Sequence, residues 1–154
     1  MEWLVEATTL GVLLFWIFYL TTSWDALPET VPKRFNFAGQ ARGVVSREFL
    51  WLLPGVGVVS YVLLTLLSRF PHIHNYPTEV TAENAEKLYG MSRSVLTLLK
   101  FQLVAAFGYI EWKMVQTARG AADGLHPWFM GLLVAAVLAT SVYPMIQARR
   151  QGGS

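Results

Sequence analysis

The sequence predicts an all-α integral membrane protein, a bundle of four transmembrane helices with a folded Pro/Gly-containing loop between helices 1 and 2. Three observations predict it. Of 154 residues, 54% are hydrophobic and only 14% charged, against roughly 25% charged in ordinary globular chains. The apolar residues fall in four blocks, at about 3–22, 49–68, 94–117 and 128–146, each near the ~20 residues a helix needs to cross ~30 Å of hydrocarbon. Trp24, Trp51, Trp112 and Trp128 mark one end of each block in turn, and indoles favour the membrane interface. Four spans with short connections use up residues 1–154 as a single membrane domain.

The first block starts almost at Met1, with Glu2 and Glu6 where a signal peptide carries basic residues, so it reads as a retained span. The segment 27–43, LPETVPKRFNFAGQARG, follows. Pro28 and Pro32 forbid a regular helix and push their preceding residues towards extended geometry. Gly39 permits a tight turn. Leu27, Val31, Phe35 and Phe37 are too many apolar residues for a solvated loop, so the segment is expected to fold as a plug on the helix ends.

Ser46 is placed to cap the second span, and Pro54 marks either its true start or a bend. Gly55 and Gly57 allow a neighbouring helix to approach closely. After the turn at Asn75-Tyr76-Pro77, Thr81 reads as the N-cap of one long helix over 82–117. At 1.5 Å per residue that helix is roughly 54 Å long, so its first turns lie outside the hydrocarbon or at its surface. In the fourth span Gly131, Ala135 and Ala139 recur at every fourth position, a small-residue stripe suited to close helix packing.

Four spans place both termini on one side of the membrane, here side A, and the 27–43 plug with the 118–127 link on side B. Basic residues divide almost evenly: Arg69, Lys87, Arg93, Arg149 and Arg150 on side A, Lys33, Arg34, Arg42, Arg47, Lys113 and Arg119 on side B. The flanks of the first span, acidic before and basic after, lean towards a cytoplasmic side B in a bacterial inner membrane.

Glu6, Lys100, Gln102 and Glu111 lie within or near the apolar spans, where an ionisable group costs on the order of 2.5–3.5 kcal/mol and wants a partner. Glu6 and Lys100 are at similar depth from side A and are expected to pair. Glu111 lies near side B and is expected to meet Arg47 or Lys113. Lys100 and Glu111 stand about 16 Å apart along one helix, too far to touch.

The enzyme classes find little support. Cysteine is absent, which removes thiolate chemistry. His72 and His74 share a face only in an extended strand, and no third ligand follows at a metal-binding spacing. No histidine falls inside a span as a membrane haem requires. Neither a Gly-x-Ser-x-Gly elbow nor a glycine-rich phosphate loop is present. No basic run interleaved with aromatics points to nucleic acid. The expectation is a non-enzyme with no metal and no cofactor.

Leu27-Pro28-x-x-Val31-Pro32 followed by Phe35-Asn36-x-x-Gly39, ahead of an apolar span opening with Leu-Pro, resembles a bacterial membrane domain family of unknown function. The same module forms the N-terminal part of SdpI-type immunity proteins. Asn75-Tyr76-Pro77 with Thr81-x-x-Asn84-Ala85-Glu86 and Tyr89 is similar to a subset of that family, and the likeness covers about residues 5–118. This chain carries Arg34 where the family usually has histidine, and Arg42 where it tends to have an acid. The resemblance implies a free-standing immunity or signal-reception module, with Pro28, Pro32, Arg34, Phe35, Asn36, Gly39 and Arg42 forming an interaction loop for a peptide or another membrane protein. The alternatives are an accessory subunit of a larger membrane complex, with partner helices, lipid or pigment on its apolar faces, and a small transporter or ion-conducting protein.

Overall fold

In the computed structural model, which describes residues 2–152, four helices are long and apolar enough to cross a membrane. They are α1 (Glu2–Ser23), α2 (Leu52–Ser68), α3 (Ala85–Ala118) and α4 (Pro127–Gly152). Their outward residues, such as Phe15, Phe18, Val59, Leu63, Leu132 and Leu138, are large, apolar and exposed. Water would not tolerate such a continuous surface, and lipid requires it. The fold is that of an all-α membrane protein.

Helix α3 is the central element, packed against α1 and α2 on one side and α4 on another. Two buried clusters fill the first seam. Leu13 and Trp16 of α1 meet Val104 of α3 at mid-height. Nearer side B, Leu20, Leu27, Val31, Leu50, Met114 and Val115 close into a second cluster. The Trp16 ring lies between two glycines, and a Cβ on Gly57 would stand 2.8 Å from Trp16 Cζ3. Gly57 is therefore what lets α2 approach α1. A Cβ on Gly108, on α3, would make ordinary contact with the same indole.

The plug is a two-stranded antiparallel sheet, β1 (Thr30–Phe35) and β2 (Ala41–Ser46). The Phe35-Asn36-x-x-Gly39 stretch is its turn. The Gly39 amide donates to the Asn36 carbonyl at 2.9 Å and the Asn36 amide to the Gln40 carbonyl at 3.0 Å, with Gly39 at φ +79°. That is a three-residue hairpin loop, a tight turn completed by one left-handed residue. The Asn36 side chain locks it, accepting from the Gln40 amide at 2.9 Å and donating to Gln40 Oε1 at 3.0 Å. Pro32 is tolerated inside β1 because a two-stranded sheet has only edge strands.

Several expectations are corrected. Ser46 does not cap α2: its hydroxyl makes no cap bond, and a 3-10 segment, Arg47–Trp51, intervenes. Pro54 is then the third residue of α2, where an amide has no helical partner to lose. The long helix starts at Ala85, not after Thr81. Asn84 uses its side chain backwards, accepting from the Thr81 amide and donating to the Glu79 carbonyl, which closes a turn where helix was expected. Gly55 is exposed with nothing near it. Gly131, Ala135 and Ala139 also face outwards, because α4 meets the bundle along the strip of less exposed residues Phe129, Leu133, Ala136 and Thr140. Phe129 lies 4.5 Å from Tyr109 of α3, centroid to centroid. Lower down, Gln102 donates to Thr140 Oγ1 at 2.7 Å and to the Ala136 carbonyl at 3.3 Å. The side chains of Arg149 and Arg150, counted above on side A, lie outside the described residues.

Candidate functional site

Three polar constellations stand out, at three heights of the bundle. The lowest joins α1, α2 and α3. Lys100 is 1% exposed, and its ammonium donates to Glu6 Oε1 at 2.5 Å and to Thr65 Oγ1 at 2.8 Å. It also lies 4.7 Å from the Tyr61 ring centroid, while the Tyr61 hydroxyl donates to Glu6 Oε2 at 3.3 Å. Each protonic face of the ammonium has a partner, and so does each carboxylate oxygen. Such closure makes a buried ammonium tolerable in an apolar surrounding. Just outside it, Ser94 donates to Glu2 Oε1 at 2.6 Å.

Glu111 is different. It is 0% exposed, and neither carboxyl oxygen has a hydrogen-bond partner. Its place on α3 puts it between the Trp16–Val104 cluster and the Met114–Val115 cluster. The expected partners go elsewhere: Arg47 lies 5.1 Å from the Trp24 ring centroid, and Lys113 lies 5.1 Å from that of Trp112. The reason is geometric. Lys113 is two residues from Glu111 and so on another face of the helix, while Arg47 sits beyond the end of β2, 3.9 Å from Glu48 and 3.5 Å from the Leu27 carbonyl. Removing a buried polar group that satisfies nothing relieves a desolvation cost of about 1–3 kcal/mol. Glu111→Leu is therefore expected to raise the unfolding temperature in detergent, and a lowered one would show that Glu111 has an unseen partner in the membrane.

The third constellation is the hairpin itself. Arg34 and Arg42 are direct cross-strand partners, although like charges placed opposite one another are unfavourable. Arg42 donates to Gln40 Oε1 at 3.2 Å. Among the described residues neither arginine has a carboxylate partner, the ion pairs being Glu6–Lys100 and Arg47–Glu48. Both arginines line a concavity of about 550 Å³ shared with Phe35, Asn36, Leu125 and Met130. Phe37 at the tip is 89% exposed and Val44 is 75% exposed.

The hairpin is held from both sides. Pro28 is exposed, whereas the neighbouring Leu27 and Val31 are buried in the side B cluster, and Pro32 is buried beside them. On the far side the Leu125 amide donates to the Gly39 carbonyl at 2.8 Å, and Gln40 bridges to Gly124. The α3–α4 link is thus a backrest for the hairpin turn. Sequence reasoning missed this contact, for which the only local signals were Gly39 and Gly124.

At the opposite end His72 and His74 separate. His74 engages both ring nitrogens, Nδ1 with Ser92 Oγ and Nε2 with the Leu67 carbonyl, and so fastens the 69–84 connection to α2 and α3. His72 is exposed.

Comparison with known proteins finds a match to the family described as "Domain of unknown function (DUF1648)" over residues 10–58, that is, most of α1, the hairpin and the start of α2. An uncharacterized protein of Archaeoglobus fulgidus is 26% identical over 119 residues, covering 70% of this chain and 64% of the relative's own length. No solved structure matches.

Proposed function

We propose that this chain is a membrane-embedded recognition module whose side B hairpin binds an acidic segment of a peptide or of another membrane protein. The observation that carries the reading is the Arg34–Arg42 cross-strand pair, two basic residues at facing register positions with no carboxylate partner among the described residues. A partner's carboxylate would relieve their repulsion and take up guanidinium donors that suit bidentate pairing. The exposed Phe37 and Val44 supply an apolar anchor beside the charge. The helices and the 118–127 link then act as a rigid mount, which keeps the ordering cost of binding low. The likeness to the N-terminal module of SdpI-type immunity proteins fits a role in immunity or signal reception.

Site-specific photo-crosslinking from position 37 in native membranes tests this reading. The adduct is expected to fall on the order of tenfold or more in an Arg34→Glu, Arg42→Glu variant, because reversed charges repel an acidic partner. A variant that stays folded and keeps its adduct undiminished ends the proposal.

One observation favours a second reading, an accessory subunit of a larger complex. The outward stripe of Gly131, Ala135 and Ala139 is unused within the chain, and such stripes suit close packing by a further helix.

A further inference from the structure

A polar pocket of about 410 Å³ opens on side B between the hairpin turn and the α3–α4 link. Gly39 and Gln40 contribute one wall, residues 121–126 of the link another, and Lys113 of α3 a third. The Leu125 amide, donating to the Gly39 carbonyl at 2.8 Å, fixes the first two walls against each other. Gly124 lacks the Cβ that would collide with that same carbonyl, so the link can close up on the turn. The volume falls within the range of small-ligand sites, and the lining suits a polar occupant.

Two opposite charges line this one pocket without meeting. Lys113 and Asp123 are both among its lining residues, yet neither forms an ion pair among the described residues. Lys113 lies instead 5.1 Å from the Trp112 ring centroid. His126, the third titratable residue of the lining, stacks on Trp128 at 5.7 Å. We propose that the pocket binds the zwitterionic headgroup of a membrane phospholipid bearing a primary ammonium, of the phosphatidylethanolamine type. The phosphate accepts from the Lys113 ammonium and from a ring N–H of His126, while the headgroup ammonium donates to the Asp123 carboxylate. An anion alone would be repelled by Asp123, and a cation alone by Lys113. A zwitterion answers both charges.

The pocket also sits at the depth where such a headgroup lies. Trp112 and Trp128 are 40% and 58% exposed, and exposed indoles at helix ends mark the membrane–water interface. Lys113 and His126 each rest on one of these rings, so both donors are held at that level. The acyl chains stay in the bilayer and need no groove of their own. Arg34 and Arg42 line the neighbouring concavity and not this one. The inference therefore does not rest on the acidic partner of the hairpin.

The test is native mass spectrometry of the full chain released from nanodiscs of equal phosphatidylethanolamine, phosphatidylcholine and phosphatidylglycerol. The retained lipid is expected to favour phosphatidylethanolamine about threefold over each of the others, the size of one exposed ion pair. Phosphatidylglycerol brings no cation, and choline has no N–H to donate. Asp123→Asn should equalise the three headgroups, and Asp123→Lys should turn the preference towards phosphatidylglycerol. Lys113→Gln should lower the retention of all three. Free phosphoethanolamine in excess should leave the lipid in place; displacement would assign the pocket to a soluble zwitterion and overturn the lipid as its occupant. No retained lipid, equal retention, or a preference for phosphatidylglycerol by the unmodified chain would overturn the proposal. So would variants, shown folded by thermal unfolding, that retain the three lipids as the unmodified chain does.

Discussion

Glu6→Gln is expected to destabilise the bundle by about 3 kcal/mol, the cost of stripping the partner from a buried charge. The Lys100 ammonium would keep only Thr65 Oγ1, the Tyr61 ring and a neutral amide, with 1% of its surface reaching solvent. Lys100→Met should cost less, because the Glu6 side chain is 31% exposed and is not left as a fully enclosed charge. The double variant should recover much of what Glu6→Gln alone loses, since it leaves no uncompensated ammonium. Reversible unfolding of the four proteins in mixed detergent measures the coupling. Additive losses would mean that the two groups do not stabilise one another, whatever their distance.

Gly39→Val is the second large effect. At φ +79° a residue with a Cβ pays about 1–2 kcal/mol for the left-handed backbone, and a β-branched one more. Sterics add to this. A Cβ at Gly39 would run into the Leu125 carbonyl, a backbone atom that cannot swing aside. The variant must therefore open the Gly39–Leu125 contact and release the α3–α4 link from the hairpin. The expected result is a protein with intact helices and faster amide exchange at Leu125 and through residues 36–40. Unchanged exchange at those amides would show that the hairpin does not depend on its backrest.

These two positions show how unevenly the sequence discloses the molecule. Glu6 and Lys100 could be matched from one dimension because depth in a membrane is nearly a linear function of residue number. Two ionisable groups at similar depth from one side have little choice of partner. Glu111 defeats the same reasoning: depth placed it beside Lys113 and near Arg47, but the azimuth around α3 points it inwards, away from both. The small-residue stripe of α4 fails for a related reason. Spacing shows that Gly131, Ala135 and Ala139 share a face; it does not show which face meets α3, and the aromatic and Gln102 contacts chose another.

The 27–43 segment lies between these cases. Two prolines excluded a helix, and its apolar content demanded burial, so a folded plug was legible. Its strands are masked by the two prolines, although Phe35-Asn36-x-x-Gly39 before Val44-Val45 carries the signal of a short hairpin loop. The cross-strand meeting of Arg34 with Arg42 follows only once that register is known.

The number of apolar helices long enough to cross a membrane, the points where they begin to within a few residues, and the shared height of Glu6 and Lys100 are all legible in the sequence. All of these follow from hydrocarbon thickness and helical rise. The tertiary structure alone decided the pairing of the hairpin, its anchorage on Leu125, the isolation of Glu111 and the pocket between the hairpin turn and the α3–α4 link. Each depends on the rotation of a helix about its own axis or on a contact between distant segments. A membrane fixes depth and leaves those to side-chain packing.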